Sequence, residues 1–354
     1  MLTTIVAAIV VLGPLIFFHE LGHFLMAKRL GIRVERFSLG FPPKMVGFTW
    51  RGTEYCISWI PFGGYVKMAG ETPDKEEVKG EPWEFLSKPI WVRGLVIFAG
   101  PAANFITAVL ILWGVFFFAG QQIIRDDSTV IGSLIPGGAA EVAGLEVGDR
   151  ILSVDGQEVH DFRSMADIIY QRVEEPLEVV WERQGERFSA TITTFKDEVI
   201  GEAGEPIEVG KIGIGPEIEI VEVGFFKAFI DGVTSSVIIS YEILKFLFNL
   251  FTGAVSLKMI GGPLTIVQVA GETARQGFLS LVTFTALLSI NLSLVNILPI
   301  PVLDGGSLFF LGVEAVRRKP LSLKQRMWIQ QVGMALLLLL MIVVTYNDIL
   351  RLFE

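Results

Sequence analysis

A single cysteine, Cys56, stands in a chain of 354 residues, which excludes an intramolecular disulfide framework and any zinc ribbon built on thiolates. Charge is scarce too. Asp, Glu, Lys and Arg make up 19% of the residues against 51% hydrophobic ones, too apolar a balance for a wholly soluble protein. A basic excess is also missing: the net charge of −9 offers no cationic stripe to a phosphate backbone, so nucleic-acid binding has little electrostatic footing. Only His19, His23 and His160 carry imidazoles, so each can be weighed singly.

What is present in abundance is long uncharged sequence. Met1–His19, Gly94–Gln122, Gln276–Leu303 and Met327–Asn347 contain no Asp, Glu, Lys or Arg, and each is long enough to cross about 30 Å of hydrocarbon. The first lacks the basic start and small-residue cleavage site of a secretory signal, so it is expected to be retained. A fifth stretch, Asp231–Leu257, is interrupted by Asp231, Glu242, Lys245 and Asn249 and reads as an amphipathic interfacial helix. Residues 28–93 hold 11 Lys/Arg, and Arg317, Arg318, Lys319, Lys324 and Arg326 crowd the last connection, which puts both on the cytoplasmic side. Residues 123–231, with 23 Asp/Glu against 9 Lys/Arg, belong outside. These sides agree only with four spans and both termini extracytoplasmic.

Two soluble regions show β character. Val46–Trp50, Arg51-Gly52 and Thr53–Ile60 read as a hairpin, which needs shielding by protein or a wet cavity if it lies at the membrane. Beyond the second span, alternation in Val130–Ile135 and Leu177–Trp181, an Asp155-Gly156 turn and a helix over Asp161–Arg172 predict a small β-rich domain. Its run Gly137-Gly138-Ala139-Ala140, Gly144-Leu145 and Gly148–Val159 resembles a PDZ domain. That resemblance implies a groove accepting a peptide or a C-terminus as an added strand, although a size-excluding plug is an alternative. Residues 196–230 read as a linker with short strands.

The chemistry-bearing pattern is His19-Glu20-Leu21-Gly22-His23. Positions i and i+4 share one helix face, so both imidazoles can hold one Zn²⁺ while Glu20 serves water as general base. Ionisable groups inside an apolar span are costly and functional by default. A catalytic zinc takes three protein ligands. His160 lies in the external domain and cannot be the third, whereas Asp304 arrives near the inner end of span three, at the depth of His19 and His23. Pro299 and Pro301 break the helix just before it, so the backbone there is irregular and must line a protein-walled cavity. Asn104, inside span two, reads either as an interhelical hydrogen-bond partner or as a site residue.

Taken together, His19–His23, Gly63-Gly64-Tyr65-Val66-Lys67-Met68, Arg93 with Ala99–Phe105, the PDZ-like segment and Asn296–Gly306 resemble the site-2 protease family of intramembrane zinc metalloproteases, bacterial RseP type. The resemblance implies zinc ligation by His19, His23 and Asp304, with Glu20 as general base. It implies that Asn296, the edge strand around Gly63, Gly64 and Tyr65, and the Pro299/Pro301 region hold an unwound substrate. Members often have a histidine where this chain has Ser307, and several carry two PDZ domains where one is found here.

The expected architecture is a polytopic α-helical membrane protein of four transmembrane helices, with a cytoplasmic-side membrane-associated β-loop and an inserted extracytoplasmic PDZ domain. Its segments are 1–27 (first span), 28–93 (β-loop), 94–122 (second span), 123–195 (PDZ), 196–275 (linker and interfacial helix), 276–316 (third span) and 317–354 (basic loop and fourth span). The expected setting is the bacterial inner membrane. The expected partners are transmembrane substrates trimmed beforehand by another protease, or signal-peptide remnants. The rival expectation is a membrane-anchored PDZ adaptor with a structural or inactive metal site.

Overall fold

The computed structural model describes residues 2–71, 79–200, 206–256, 259–319 and 321–351. Small parts of the expected β-loop, linker and terminal segments, such as 72–78, 201–205 and 257–258, lie outside them. The chain divides into two units, Met1–Phe116 with Phe225–Lys245 and Leu257–Glu354, and Phe117–Gly224 with Phe246–Ser256.

In the first unit α1 (Leu2–Arg29) carries the uncharged N-terminal run on through the histidine motif. Strands β1 (Val34–Trp50) and β2 (Thr53–Met68) follow, joined at Arg51-Gly52, both with positive φ as a two-residue hairpin turn requires. β2 then folds back. Residues 34–39 of β1 pair with 54–57 on one side and with 64–68 on the other. Among the described residues no second strand pairs with 64–66, and beyond them the Met68 N–H is taken by the Glu71 carboxylate at 3.2 Å.

Helix α2 (Ile90–Ala119) packs against α1 at very short range. Gly22 makes this possible, because a Cβ there would overlap the Ala99 carbonyl and the Ala103 methyl.

The second unit is β-rich: β3 (Gln121–Ile124), β4 (Ile131–Leu134), α3 (Ala139–Val142), β5 (Arg150–Val154), β6 (Gln157–Glu158), α4 (Phe162–Tyr170), β7 (Pro176–Arg183), β8 (Glu186–Thr193), β9 (Phe195–Ile200), β10 (Pro206–Lys211), β11 (Ile214–Pro216) and β12 (Ile218–Val221). The central sheet runs β6-β5-β7-β8. Asp155-Gly156 turns β5 into β6, and the Asp161 carboxylate caps α4 through the Ser164 N–H at 2.7 Å. Ile131, Leu145, Ile151, Met165, Val179 and Ile212 form its core. The short strands expected after residue 195 do not act as a tether. β12 pairs with β3 and β11 with β4, so the β unit closes on itself only near Val221.

The chain then forms α5 (Phe225–Thr252), α6 (Pro263–Gln276), α7 (Phe278–Ile297), α8 (Asp304–Arg317) and α9 (Leu323–Arg351). Serine hydroxyls tie α7 to α2: Ser289 donates to the Asn104 carbonyl at 2.7 Å and Ser293 to the Pro101 carbonyl at 2.8 Å. Buried Asp348 of α9 caps α6, accepting from the N–H groups of Gly262, Leu264 and Thr265 and from the Thr265 hydroxyl. Among the described residues five helices are long and apolar enough to cross a membrane; α5, expected to be interfacial, is the least apolar of them.

Candidate metal centre

The site rests on a break in the third apolar run. α7 stops at Ile297, residues 298–303 turn without helix, and α8 restarts at Asp304. Asp304 is therefore the first residue of a new helix rather than the end of a span. Gly305 and Gly306 permit the tight return, since a Cβ on either would overlap carbonyls of Ile297, Leu298 or Ile300.

That return delivers the Asp304 carboxylate to the two imidazoles of α1. Its Oδ2 lies 3.1 Å from His19 Nε2 and 3.5 Å from His23 Nε2, and the two Nε2 atoms are 3.2 Å apart. Ligands at about 2.1 Å around a tetrahedral ion stand roughly 3.4 Å from one another. The observed triangle is sized for such an ion, and its composition of two imidazoles and one carboxylate leaves a fourth place open.

Both rings are held from behind. His23 Nδ1 meets the Val96 carbonyl at 2.8 Å, which fixes its Nδ1–H tautomer and turns Nε2 inward. His19 Nδ1 meets the Asn104 amide at 3.2 Å. The contact is drawn to Asn104 Nδ2, while the buried Oδ1 has no partner. A histidine that ligates through Nε2 carries its proton on Nδ1 and needs an acceptor. Turning the amide by 180° supplies one and satisfies the orphaned oxygen, so we assign Oδ1 to the His19 side. Gly100 makes room for both rings, because a Cβ there would lie inside the van der Waals radius of His23 Nε2.

A cavity of about 800 Å³ opens in front of the triangle. His19, Glu20, His23, Gly64, Tyr65, Asn296 and Asp304 all line it. Gly64 brings its strand close to the motif, since a Cβ there would stand 2.9 Å from the Glu20 Cγ. Tyr65 is steadied by Arg36, whose Nη1 donates to the phenol oxygen at 3.1 Å. Other expected residues are placed differently. Gly63, at φ +142°, lies against the Phe41 ring; Pro301 packs on Gly333 of α9; Pro299 is exposed and does not line this cavity; Asn104 sits behind His19 rather than in the cavity.

The chain's similarity to known proteins follows this geometry. The model of peptidase family M50 matches residues 7–340. The chain belongs to family M50. The zinc metalloprotease RasP of Geobacillus kaustophilus is 33% identical over 99% of each chain. The regulator of sigma-W protease RasP of Bacillus subtilis is 32% identical, again over 99% of each. A PDZ domain of the SdrC-like protein of Listeria monocytogenes covers 27% of this chain and 92% of its own at 20% identity and a TM-score of 0.21, too slight a likeness to bear on the fold. As an M50 peptidase the protein is a zinc metalloprotease, with several helices able to span a membrane.

Sequence reasoning singled out Asn104, and quoted Arg93 and Ala99–Phe105 within the resemblance, but gave no site role to Gly100, to the Val96 carbonyl or to any residue of α9. Gly100 and Val96 belong to a helix whose face toward α1 has no local signal. Arg326 and Gln330 of α9 also line the cavity, and a buried Arg93–Glu314 ion pair ties α2 to α8 with bonds of 3.2 and 2.5 Å.

Proposed function

We propose that the protein cleaves transmembrane segments of membrane-anchored proteins within the bilayer, with His19, His23 and Asp304 as zinc ligands and Glu20 as general base. The observation that carries this is the sharing of one cavity by the ligand triangle, Glu20 and the strand residues 64–66, with which no second described strand pairs. A zinc ion held there supplies Lewis acidity to water and to the scissile carbonyl. Glu20 takes the proton of the attacking water and returns it to the leaving amine nitrogen. A helical substrate hides its carbonyls in i→i−4 bonds and must unwind locally. The second edge of 64–66 replaces those bonds by strand pairing, and Asn296 adds a side-chain amide to the same task.

The reading extends to topology. Four spans, with α5 at the interface, keep the Arg317–Arg326 cluster on the side of residues 28–93, as the distribution of Lys and Arg demands. Both termini and the PDZ-like domain are then extracytoplasmic in a bacterial inner membrane. There the domain admits stubs already trimmed by another protease, or signal-peptide remnants, by size or by capture of a C-terminus.

The test compares purified wild-type protein with Glu20→Gln on a model transmembrane peptide, with zinc measured in both. Retained zinc with cleavage reduced by about 10²–10⁴ is expected. Equal cleavage by the two forms would falsify the general-base assignment, and substitution of Asp304 by Ala without loss of zinc would remove the third ligand.

A further inference from the structure

Two further charged groups among the described residues lining the cavity, Glu71 and Arg326, have no part in the reaction, and Arg326 is the cation of the two. Arg326 is the one Lys or Arg among its described lining residues, and Gln330, one turn further along α9, lines it as well. Its Nε is buried without a hydrogen-bond partner, and its side chain makes no ion pair among the described residues. The charges facing it are Glu314 and Arg93. Both Glu314 oxygens are already engaged by Arg93, Nη2 on Oε1 and Nη1 on Oε2. Two guanidiniums thus share the Glu314 carboxylate, and Glu71, which also lines the cavity, accepts from the Met68 N–H rather than from Arg326, so the half-buried Arg326 has no bonded counter-charge among the described residues. An uncompensated buried cation is costly, and a fold keeps it where an anion arrives with the ligand.

We propose that Arg326, with Gln330 beside it, forms an anion subsite that binds a carboxylate of the peptide substrate. A guanidinium presents a planar fork matched to a carboxylate, and Gln330 adds an amide donor. The carboxylate comes either from an Asp or Glu side chain near the scissile bond or from the new C-terminus created by cleavage. Lipid phosphate is the less suited anion: Arg317 and Arg318 are exposed at the surface, where a head group would meet them first, whereas Arg326 lines the cavity of the metal ligands. The inference rests on this cavity being the proteolytic site.

The test uses the full-length zinc protein in phosphatidylcholine nanodiscs, as wild type, Arg326→Gln and Arg326→Lys. Model transmembrane peptides differ by one Glu or Gln, scanned along the cytoplasmic flank of the scissile bond. At one position wild type should favour Glu about tenfold in kcat/KM, through KM. Arg326→Gln should bring the ratio to about one, and Arg326→Lys should restore part of it. If the new C-terminus is the source, the N-terminal product should inhibit wild type about tenfold better as free acid than as amide, and Arg326→Gln should abolish that difference. Binding of the same peptides to Glu20→Gln protein is measured alongside. Charge-dependent binding without any cleavage by wild type would remove the protease reading and leave the subsite standing. Equal losses on acidic and neutral peptides, with equal inhibition by acid and amide, overturn the subsite. So does a preference that appears only with anionic lipid. Unchanged zinc content in each variant separates these results from a disturbed metal centre.

Discussion

The two units of the chain handle buried charge in contrasting ways. In the β unit one carboxylate, Asp149, is buried at 1% side-chain exposure, and Arg183, itself 27% exposed, reaches it from the surface at 2.7 Å. In the membrane-type unit Arg93 and Glu314, at 7% and 11%, are buried together, and the ligand cluster lies beside the same cavity as Arg326. A soluble domain can leave half of each pair in water. A helical bundle that faces lipid pairs a buried charge with one from another helix, as Arg93 with Glu314, which makes the unpaired Arg326 the exception that needs a ligand.

The sharpest way to break this contrast is Gly100→Leu. It adds no charge but displaces both imidazoles, so zinc and proteolysis should fall to background while the β unit keeps its hydrogen-exchange protection. Metal analysis and amide exchange on one sample check both halves.

Next in size is Arg93→Met, which removes both hydrogen bonds held by the buried Glu314 carboxylate and should cost about 3–5 kcal/mol. Arg183→Met should cost less, about 1–3 kcal/mol, because the Glu146 N–H still holds Asp149 at 2.8 Å. Denaturation of the two variants followed by exchange in each unit would reverse the comparison if Arg183→Met proved the worse.

A smaller effect is expected behind His19. Asn104→Leu should weaken zinc binding by about 10–100-fold, whereas Asn104→Asp, which keeps an acceptor for Nδ1–H, should lose less. Competition with a chelator reads both, and identical losses would refute the amide orientation assigned here.

The smallest concerns acid. Burial alone would raise the Asp149 carboxyl; the Arg183 guanidinium and the Glu146 N–H outweigh it and hold it below the usual range. A carboxyl lowered on folding stabilises the fold above its unfolded value, near 4, and that contribution is lost as pH falls through the folded value. The β unit should therefore loosen below about pH 4, and Asp149→Asn should flatten the dependence.

Much of the site was legible because it is local or costly. His19, Glu20 and His23 lie within five consecutive residues on one helix, and Asp304 is conspicuous as the acid that ends a long uncharged run. The hairpin was legible from Arg51-Gly52, and α4 from its Asp161 cap. What escaped depends on elements far apart in sequence. Nothing near Gln121–Ile124 announces Ile218–Val221 as its partner, so the β unit looked finished too early. Nothing in Arg326 distinguishes it from the basic residues before it until α9 is laid beside the cavity. Length and composition do not decide the number of crossings, because α5 lies near the margin of apolarity; the count of four rests on the distribution of Lys and Arg.

The second edge of residues 64–66 has a bearing on selectivity. Main-chain groups are shared by every sequence, so if substrates pair there as proposed, the edge would discriminate among clients by how readily a stretch surrenders its coil rather than by the letters it spells. A stiff leucine-rich anchor and one softened by glycine or asparagine would present the same amides to this rim, yet only the second gives them up cheaply.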